Sequence, residues 1–139
     1  MSHSPADLNA EGLEFLTVRH LASLTTLRTG DLPHVVPVGF TWDAERGLAR
    51  VITSGPSQKA HNAARGGRAV LCQLDGGRWL SLEGVPQVSD DPDRVADAVA
   101  RYALRYREPR VNPRRVVIEL SVDRLLGSAA FFSAAGDPK

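Results

Sequence analysis

The sequence predicts a mainly β domain, a small antiparallel barrel with two or three helices. Segments with strand periodicity follow one another closely and are joined by short turns rich in Gly, Asp and Pro. Helical patterns are few and do not alternate regularly with the strands, as they would in a doubly wound α/β fold. The length of 139 residues predicts a single domain, 1–139, with loosely ordered ends at 1–7 and 129–139.

The N-terminal elements are a short helix and two strands. Asn9 is a good N-cap for the helix, because its side chain can accept a hydrogen bond from a free backbone N–H. Alternation over residues 20–29 predicts the first strand, and the Gly-Asp-Leu-Pro turn at 30–33 reverses the chain. Residues 34–42 then form the second strand.

Hairpin strands and two further helices make up the rest of the chain. The Asp91–Pro92 pair is typical of a helix start, with a capping carboxylate followed by proline at the first helical position. The predicted elements are a strand at 48–54, a helix at 57–65, strands at 69–74 and 78–88, a helix from Pro92, and a strand at 116–122.

Composition and charge exclude several classes of protein. The net charge of +1 predicts neither nucleic-acid binding nor a membrane-surface protein. Cys72 is the single cysteine, which excludes an internal disulfide, and the four histidines lack metal-ligand spacing, so no metal site is predicted. The absence of a signal-peptide pattern and of a membrane-spanning stretch predicts a cytoplasmic protein.

The segment SGPSQKAHNAARGGRAVL, residues 54–71, has the features of an anion-binding site. It places Ser57 and Lys59 at the start of a helix that follows a buried strand, with Arg65 at its end. Helix N-termini and cations both attract anions. A capped surface helix with a solvated lysine is the alternative. The segment lacks the order of a nucleotide-binding P-loop, so ATP or GTP hydrolysis is not predicted.

Three other features could contribute to a binding site. Pro37 and Gly39 interrupt the second strand, which indicates either close approach by a flat ligand or a barrel corner. Arg78 could hold an acidic group and Trp79 could contact a ligand ring, but the pattern alone favours a solvated arginine and a core tryptophan. Arginines crowd the loop at 107–115, where a nucleic-acid patch, an acidic-substrate clamp and a salt-bridged surface are the alternatives.

Three long segments resemble the split β-barrel flavin- and deazaflavin-binding family, which contains pyridoxamine 5′-phosphate oxidase and actinobacterial enzymes that use coenzyme F-420. They are HLASLTTLRTGDLPHVVPVGFTWD, ARVITSGPSQKAHNAARGGRAVLCQLDGGRWLSLEG and RYALRYREPRVNPRRVVIEL. The resemblance extends over about residues 8–128. It implies a dimeric, six-stranded antiparallel split barrel with the cofactor in a groove at the subunit interface.

The same resemblance implies a set of cofactor-binding residues. Ser57 and Lys59 would hold the cofactor phosphate, with Arg65 nearby, and Arg68 could meet carboxylates of the cofactor tail. Arg78 to Leu80 would line the groove from either subunit. The full implied set is His34, Val35, Val36, Pro37, Val38, Gly39, Thr53, Ser54, Ser57, Lys59, Ala60, Arg65, Arg78, Trp79 and Leu80.

The function implied by the resemblance is hydride transfer from reduced F-420 to biliverdin, giving bilirubin, or to a similar conjugated acceptor. Arginines, including those of the 107–115 loop, would pair with acidic groups of the bilin. The order VITSGPSQK favours the F-420 branch. The alternatives are an FMN-dependent oxidase of the pyridoxamine-phosphate type and a non-catalytic carrier of F-420 or a tetrapyrrole. No residue stands out as a proton donor, so no catalytic residue is named.

Overall fold

The computed structural model describes residues 2–133, and its strands form one antiparallel sheet in the order β2-β1-β5-β6-β7-β4-β3. The prediction of a mainly β, antiparallel fold with few helices is confirmed. The seven strands are β1 (Ala22–Leu27), β2 (Pro33–Val38), β3 (Thr41–Asp43), β4 (Leu48–Ser54), β5 (Ala69–Asp75), β6 (Arg78–Ser89) and β7 (Arg115–Gly127).

The prediction of six strands is wrong because the segment 34–42 forms two strands. The chain leaves β2 after Val38 and enters β3 at Thr41. The backbone N–H of Phe40, between them, donates to the Tyr106 hydroxyl at 3.1 Å. As a result β2 pairs with β1, whereas β3 pairs with β4 at the opposite end of the sheet order. The two edges of the sheet therefore meet at residues 39–40, which we call the corner.

Each of the three α-helices begins at the capping residue that the sequence predicts. The Asn9 side chain accepts a hydrogen bond from the backbone N–H of Gly12 at 2.9 Å. The Asp91 carboxylate accepts one from the N–H of Arg94 at 3.0 Å. These bonds satisfy N–H groups that a helix cannot satisfy internally. The helices are α1 (Ala10–Phe15), α2 (Gln58–Ala64), capped by Ser57, and α3 (Pro92–Arg105).

The hydrophobic core lies on the inner face of the sheet. Alternate residues of β1 are buried, and their neighbours on β5 and β6 continue the same face, as the period of two requires. Leu24, Leu71 and Leu82 are completely or almost completely buried. Each such side chain contributes about 1.5–3 kcal/mol to folding by leaving water.

A buried ion network attaches α3 to the sheet. The Arg50 guanidinium, only 4% exposed, donates to Asp43 at 2.9 Å and lies 3.9 Å from Glu119. Arg101 of α3 reaches the same Asp43 carboxylate at 3.6 Å. Although burial opposes ionisation of Asp43, its bonds to Arg50 and Arg46 and the charge of Arg101 together lower its pKa.

The chain ends are more regular than the sequence predicts. Residues 5–7 form a turn of 3-10 helix, and His3 pairs with Leu125 of β7. A second turn, Ala129–Phe131, buries Phe131 completely against Phe15, with ring centroids 4.6 Å apart. Residues 2–7 and 129–133 are therefore ordered and not loosely ordered as predicted, because aromatic contacts such as that of Phe131 with Phe15 hold them against the core. The remainder of that expectation, residue 1 and residues 134–139, lies outside the described residues.

Among residues 2–133, no helix is both long and apolar enough to cross a membrane. Over the same range, no group of three or more His, Cys, Asp or Glu side chains is arranged to hold a metal ion.

Candidate functional site

A cavity of about 260 Å³ opens at the corner, where the ends of β2 and β4 face the start of α2 and the end of α3. It brings together six of the predicted residues: Pro37, Val38 and Gly39 from β2 and the corner, Thr53 and Ser54 from β4, and Lys59 from α2. Its other lining residues are Ile52, Tyr102, Pro109, Asn112 and Arg115. We call this space the corner cavity.

The corner cavity is electropositive. Lys59 and Arg115 are the charged residues among its lining, and no carboxylate lines it. No Asp or Glu in residues 2–133 lies within ion-pair distance of either cation. The Arg115 guanidinium donates to the backbone oxygen of Arg110 at 2.6 Å, which fixes its direction without neutralising its charge. Two cations without counter-ions favour an anionic ligand.

Ser57 supports the cavity without lining it. Its hydroxyl accepts from the backbone N–H of Ala60 at 3.3 Å and shares a hydrogen bond of 3.2 Å with the hydroxyl of Thr53. The first bond starts α2, which places Lys59 in the first turn, and the second orients Thr53 beside the cavity. Ala60 is itself buried in the protein, so its side chain is not exposed to the corner cavity.

The N-terminal part of β2 lies away from the cavity. Val36 packs partly against the core. His34 stands opposite Thr26 in the β1–β2 pairing, and its Nδ1 is buried without a hydrogen-bond partner among the described residues. Val35 is 59% exposed on the outer face of the sheet. Of the predicted stretch from His34 to Gly39, only Pro37 to Gly39 therefore line the corner cavity of their own chain.

Arg65 is also held away from the cavity. Its guanidinium donates to the hydroxyl of Thr29 and to the backbone oxygen of Leu27, both at 2.8 Å. These bonds tie the end of α2 to the β1–β2 turn. Arg65 thus lies at the opposite end of α2 from Lys59 and does not line the cavity.

The Arg78–Leu80 segment lies elsewhere in the same chain. The Arg78 guanidinium stands over the rings of Phe15 and Phe131, 5.3 Å and 5.9 Å from their centroids. Trp79 is 37% exposed, whereas Leu80 is completely buried in the core. None of the three lines the corner cavity of its own chain.

Sequence reasoning missed several residues of the cavity. Tyr102 is one of them, and its ring contacts Gly39: a Cβ at position 39 would lie 3.0 Å from the Tyr102 ring. The signal for this contact is a glycine within a strand, which often accepts a close neighbour. Pro109, Asn112 and Arg115 belong to or border the basic loop, for which an acidic-substrate clamp was one of the alternatives.

An exposed apolar face lies beside the cavity on the outer side of β2, β1 and β5. Leu21, Val35 and Leu74 are each more than half exposed there, and a shallow depression of about 400 Å³ runs between them. Cys72 lies in the same depression, where burial raises the pKa of its thiol. Pro37 borders both this depression and the corner cavity. We call this surface the outer apolar face.

The family model of pyridoxamine 5′-phosphate oxidase matches residues 8–128, most of the chain. The chain belongs to this family. A relative from Mycobacterium tuberculosis, a biliverdin reductase dependent on reduced F-420, is 58% identical to it over 135 residues, which is 97% of this chain and 98% of the relative. The resemblance predicted from the sequence is therefore confirmed.

Solved structures of this fold agree with the architecture. A conserved hypothetical protein of M. tuberculosis superposes with a TM-score of 0.74 at 22% identity, covering 90% of this chain and 88% of that one. A protein named F-420 reductase superposes with a TM-score of 0.65 at 22% identity, covering 83% and 94%. At this level of identity the similarity concerns the fold alone.

Proposed function

We propose that the protein is an oxidoreductase that transfers a hydride from reduced F-420 to biliverdin, giving bilirubin, or to a similar conjugated acceptor. The observation that carries this proposal is the 58% identity to the M. tuberculosis biliverdin reductase across nearly the full length of both chains. We expect two chains that are identical to this extent to share the same cofactor site.

The residues of the corner cavity fit a phosphorylated cofactor with a flat ring. Lys59 is a cation without a counter-ion among the described residues, and Thr53 and Ser54, which carry hydroxyls, line the same cavity. Together they would hold the phosphate through charge-assisted and neutral hydrogen bonds. Gly39 has no side chain and lies against the ring of Tyr102, so the two residues form one wall of the cavity, against which a flat ring could pack.

When bound, reduced F-420 supplies a hydride from its deazaflavin ring. The protein's contribution is to position the two reactants and to complement their charges. Arg115 lines the cavity and is the candidate partner for an acidic group of the acceptor, and Arg110 and Arg114 are exposed in the same loop. Arg68, expected to meet carboxylates of the cofactor tail, instead donates to Asp123 at 3.0 Å.

We further propose that two copies associate through the outer apolar face. Exposed side chains such as Leu21, Val35 and Leu74 make this face costly to leave in water. Because Pro37 borders both the face and the corner cavity, a second copy would complete the cavity wall. Trp79 is paired with Leu74 on the β5–β6 hairpin, so it could reach the cavity of the other copy.

A paired titration tests the cofactor, and a turnover assay tests the reaction. The purified protein is titrated with F-420 and with FMN by fluorescence, and biliverdin is then added to the complex with reduced F-420. We expect tighter binding of F-420 than of FMN, followed by formation of bilirubin. Preference for FMN would favour the oxidase alternative, and binding of F-420 without turnover would favour a carrier. Size-exclusion chromatography with light scattering tests the dimer.

A further inference from the structure

We propose that Arg105 and Tyr106 are positioning residues for the cofactor site, because they hold the corner in the shape that the cavity requires. The inference rests on the proposed function for its consequence in cofactor binding. Its structural part concerns the backbone of Phe40 and the wall that Gly39 and Tyr102 form.

The Arg105 guanidinium joins three separate segments of the chain. It donates to the backbone oxygen of Val18 at 2.9 Å, to that of Phe40 at 2.6 Å, and to the side-chain oxygen of Gln73 at 2.7 Å. Its carbon centre also lies 4.7 Å from the centroid of the Phe40 ring. Gln73 is completely buried, and its amide nitrogen donates to the backbone oxygen of Phe15 at 2.7 Å, so this acceptor cannot move away.

The Tyr106 hydroxyl binds the other backbone group of Phe40, its N–H. It accepts from the backbone N–H of Phe40 at 3.1 Å and donates to the backbone oxygen of His20 at 2.7 Å. Burial raises the pKa of this phenol, which keeps its proton on the oxygen for that donation. Both backbone groups of Phe40 are thus bound by side chains from the end of α3.

These contacts explain why the chain leaves the sheet at the corner and how the corner reaches the cavity. With its N–H and carbonyl bound to Tyr106 and Arg105, Phe40 pairs with no strand, and the adjacent Gly39 turns toward the rings. The Tyr106 ring also packs on Tyr102, with centroids 4.8 Å apart. The pair therefore sets the position of both Gly39 and Tyr102, which line the cavity.

The chemistry of Arg105 indicates a positional role beyond simple stabilisation. None of its bonds goes to a carboxylate, and burial lowers the pKa of its guanidinium. Placing a cation in such surroundings costs free energy, whereas an apolar side chain would fill the space without that cost. The planar guanidinium instead provides several N–H donors in fixed directions, and these hold the three segments in one arrangement.

The test compares Tyr106→Phe with Asp91→Ala. The first variant removes the hydroxyl and keeps the ring. The second removes the cap at the other end of the same helix, where the Asp91 carboxylate accepts from the N–H of Arg94 at 3.0 Å. Both variants are expected to lower the melting temperature, so this pair separates a loss of stability from a change at the corner. Arg105→Lys provides a third variant, which keeps the charge but cannot form the three bonds of the guanidinium.

Amide hydrogen exchange of the apo protein, followed by NMR, measures the corner without cofactor. We expect the Phe40 amide to exchange at least about fivefold faster in Tyr106→Phe, as expected for loss of one hydrogen bond. The paired amides of Val51 and Ile118 in the β4–β7 ladder should change little. In Asp91→Ala the Phe40 amide should exchange as in the unmodified protein.

Cofactor binding then tests the consequence. We expect the dissociation constant for F-420 to rise about fivefold or more in Tyr106→Phe and Arg105→Lys, with kcat changed less than KM, and to stay constant in Asp91→Ala. An unchanged exchange rate at Phe40, or equal binding losses in Tyr106→Phe and Asp91→Ala, would overturn the inference. If the unmodified protein itself failed to bind F-420, the proposed function would fail, while the exchange measurement would still decide the structural part.

Discussion

Replacing Lys59 by alanine is expected to weaken binding of F-420 by about 10- to 30-fold. A hydrogen bond to a charged group contributes about 1.5–3 kcal/mol. Lys59 is only partly buried, so water screens its charge and the lower part of that range, about 1.5–2 kcal/mol, applies. At about 1.4 kcal/mol for each tenfold change, this corresponds to the stated loss. Thr53 and Ser54 remain in the cavity lining, so binding should be weakened and not abolished.

The matched control is Arg65→Ala, which removes a cation from the other end of the same helix. The Arg65 guanidinium is bound to Thr29 and to the backbone of Leu27 and does not line the cavity. Its loss should leave the dissociation constant for F-420 within about twofold of the unmodified value, although it removes two hydrogen bonds and should lower stability by about 1–2 kcal/mol.

Fluorescence titration of F-420 at two salt concentrations measures both variants. Because the predicted contact is partly electrostatic, the difference between Lys59→Ala and the unmodified protein should shrink as salt increases. Equal dissociation constants for Lys59→Ala and the unmodified protein would refute the assignment of Lys59 to the phosphate. A larger loss in Arg65→Ala than in Lys59→Ala would place the anion at the opposite end of α2.

Four further predictions concern the fold and its surfaces. Gly84→Ala should unfold at clearly lower urea concentration, because the new Cβ would lie 1.9 Å from the backbone oxygen of Ser121 in the adjacent strand. The unfolding free energy should fall as the pH drops below about 4, because the pKa of Asp43 is lowered in the folded protein and the carboxylate contributes stability only while it is ionised. Asp43→Asn should remove this part of the dependence of the unfolding free energy on pH. Arg50→Ala should lower the unfolding free energy measured in urea by about 3–5 kcal/mol, because it leaves the Asp43 carboxylate buried without its closest partner. Val35→Asp should shift light scattering toward the monomer, since it places a charge on the outer apolar face.

Local patterns in the sequence predicted most of the secondary structure correctly. The strand at 48–54 was predicted at the bounds that the structure has, and the predicted helix at 57–65 is one residue longer at each end than α2, since alternation and capping act over a few residues. The break at Phe40 was missed because its cause, Tyr106, lies 66 residues further along the chain. No property of residues 34–42 alone distinguishes a bulged strand from two strands that pair at opposite edges.

The same distinction applies to the candidate site. Lys59 was predicted to hold an anion, and the structure places it in the lining of the corner cavity because its position in the first turn of α2 follows from the cap at Ser57. Arg65 was an equally good cation in the sequence, but the structure directs its guanidinium to the β1–β2 turn. The sequence therefore predicted which residues are cations, but not which group each cation binds. Ion pairs such as that between Arg68 and Asp123 join residues far apart in sequence and remove a cation from the candidates.

The position of the cavity follows from the way the sheet meets itself at the corner. Elsewhere in the sheet, strand partners satisfy the backbone groups, but at residues 39–40 the two edge strands meet without pairing to each other. Side chains from the end of α3 satisfy Phe40 instead, which leaves Gly39 beside an open space. Lys59 and Arg115 reach that space from α2 and β7 with no carboxylate beside them in its lining. A site made in this way can change its ligand through side chains such as Lys59 and Tyr102 while the sheet stays the same, so the function has to be argued from the cavity and not from the fold.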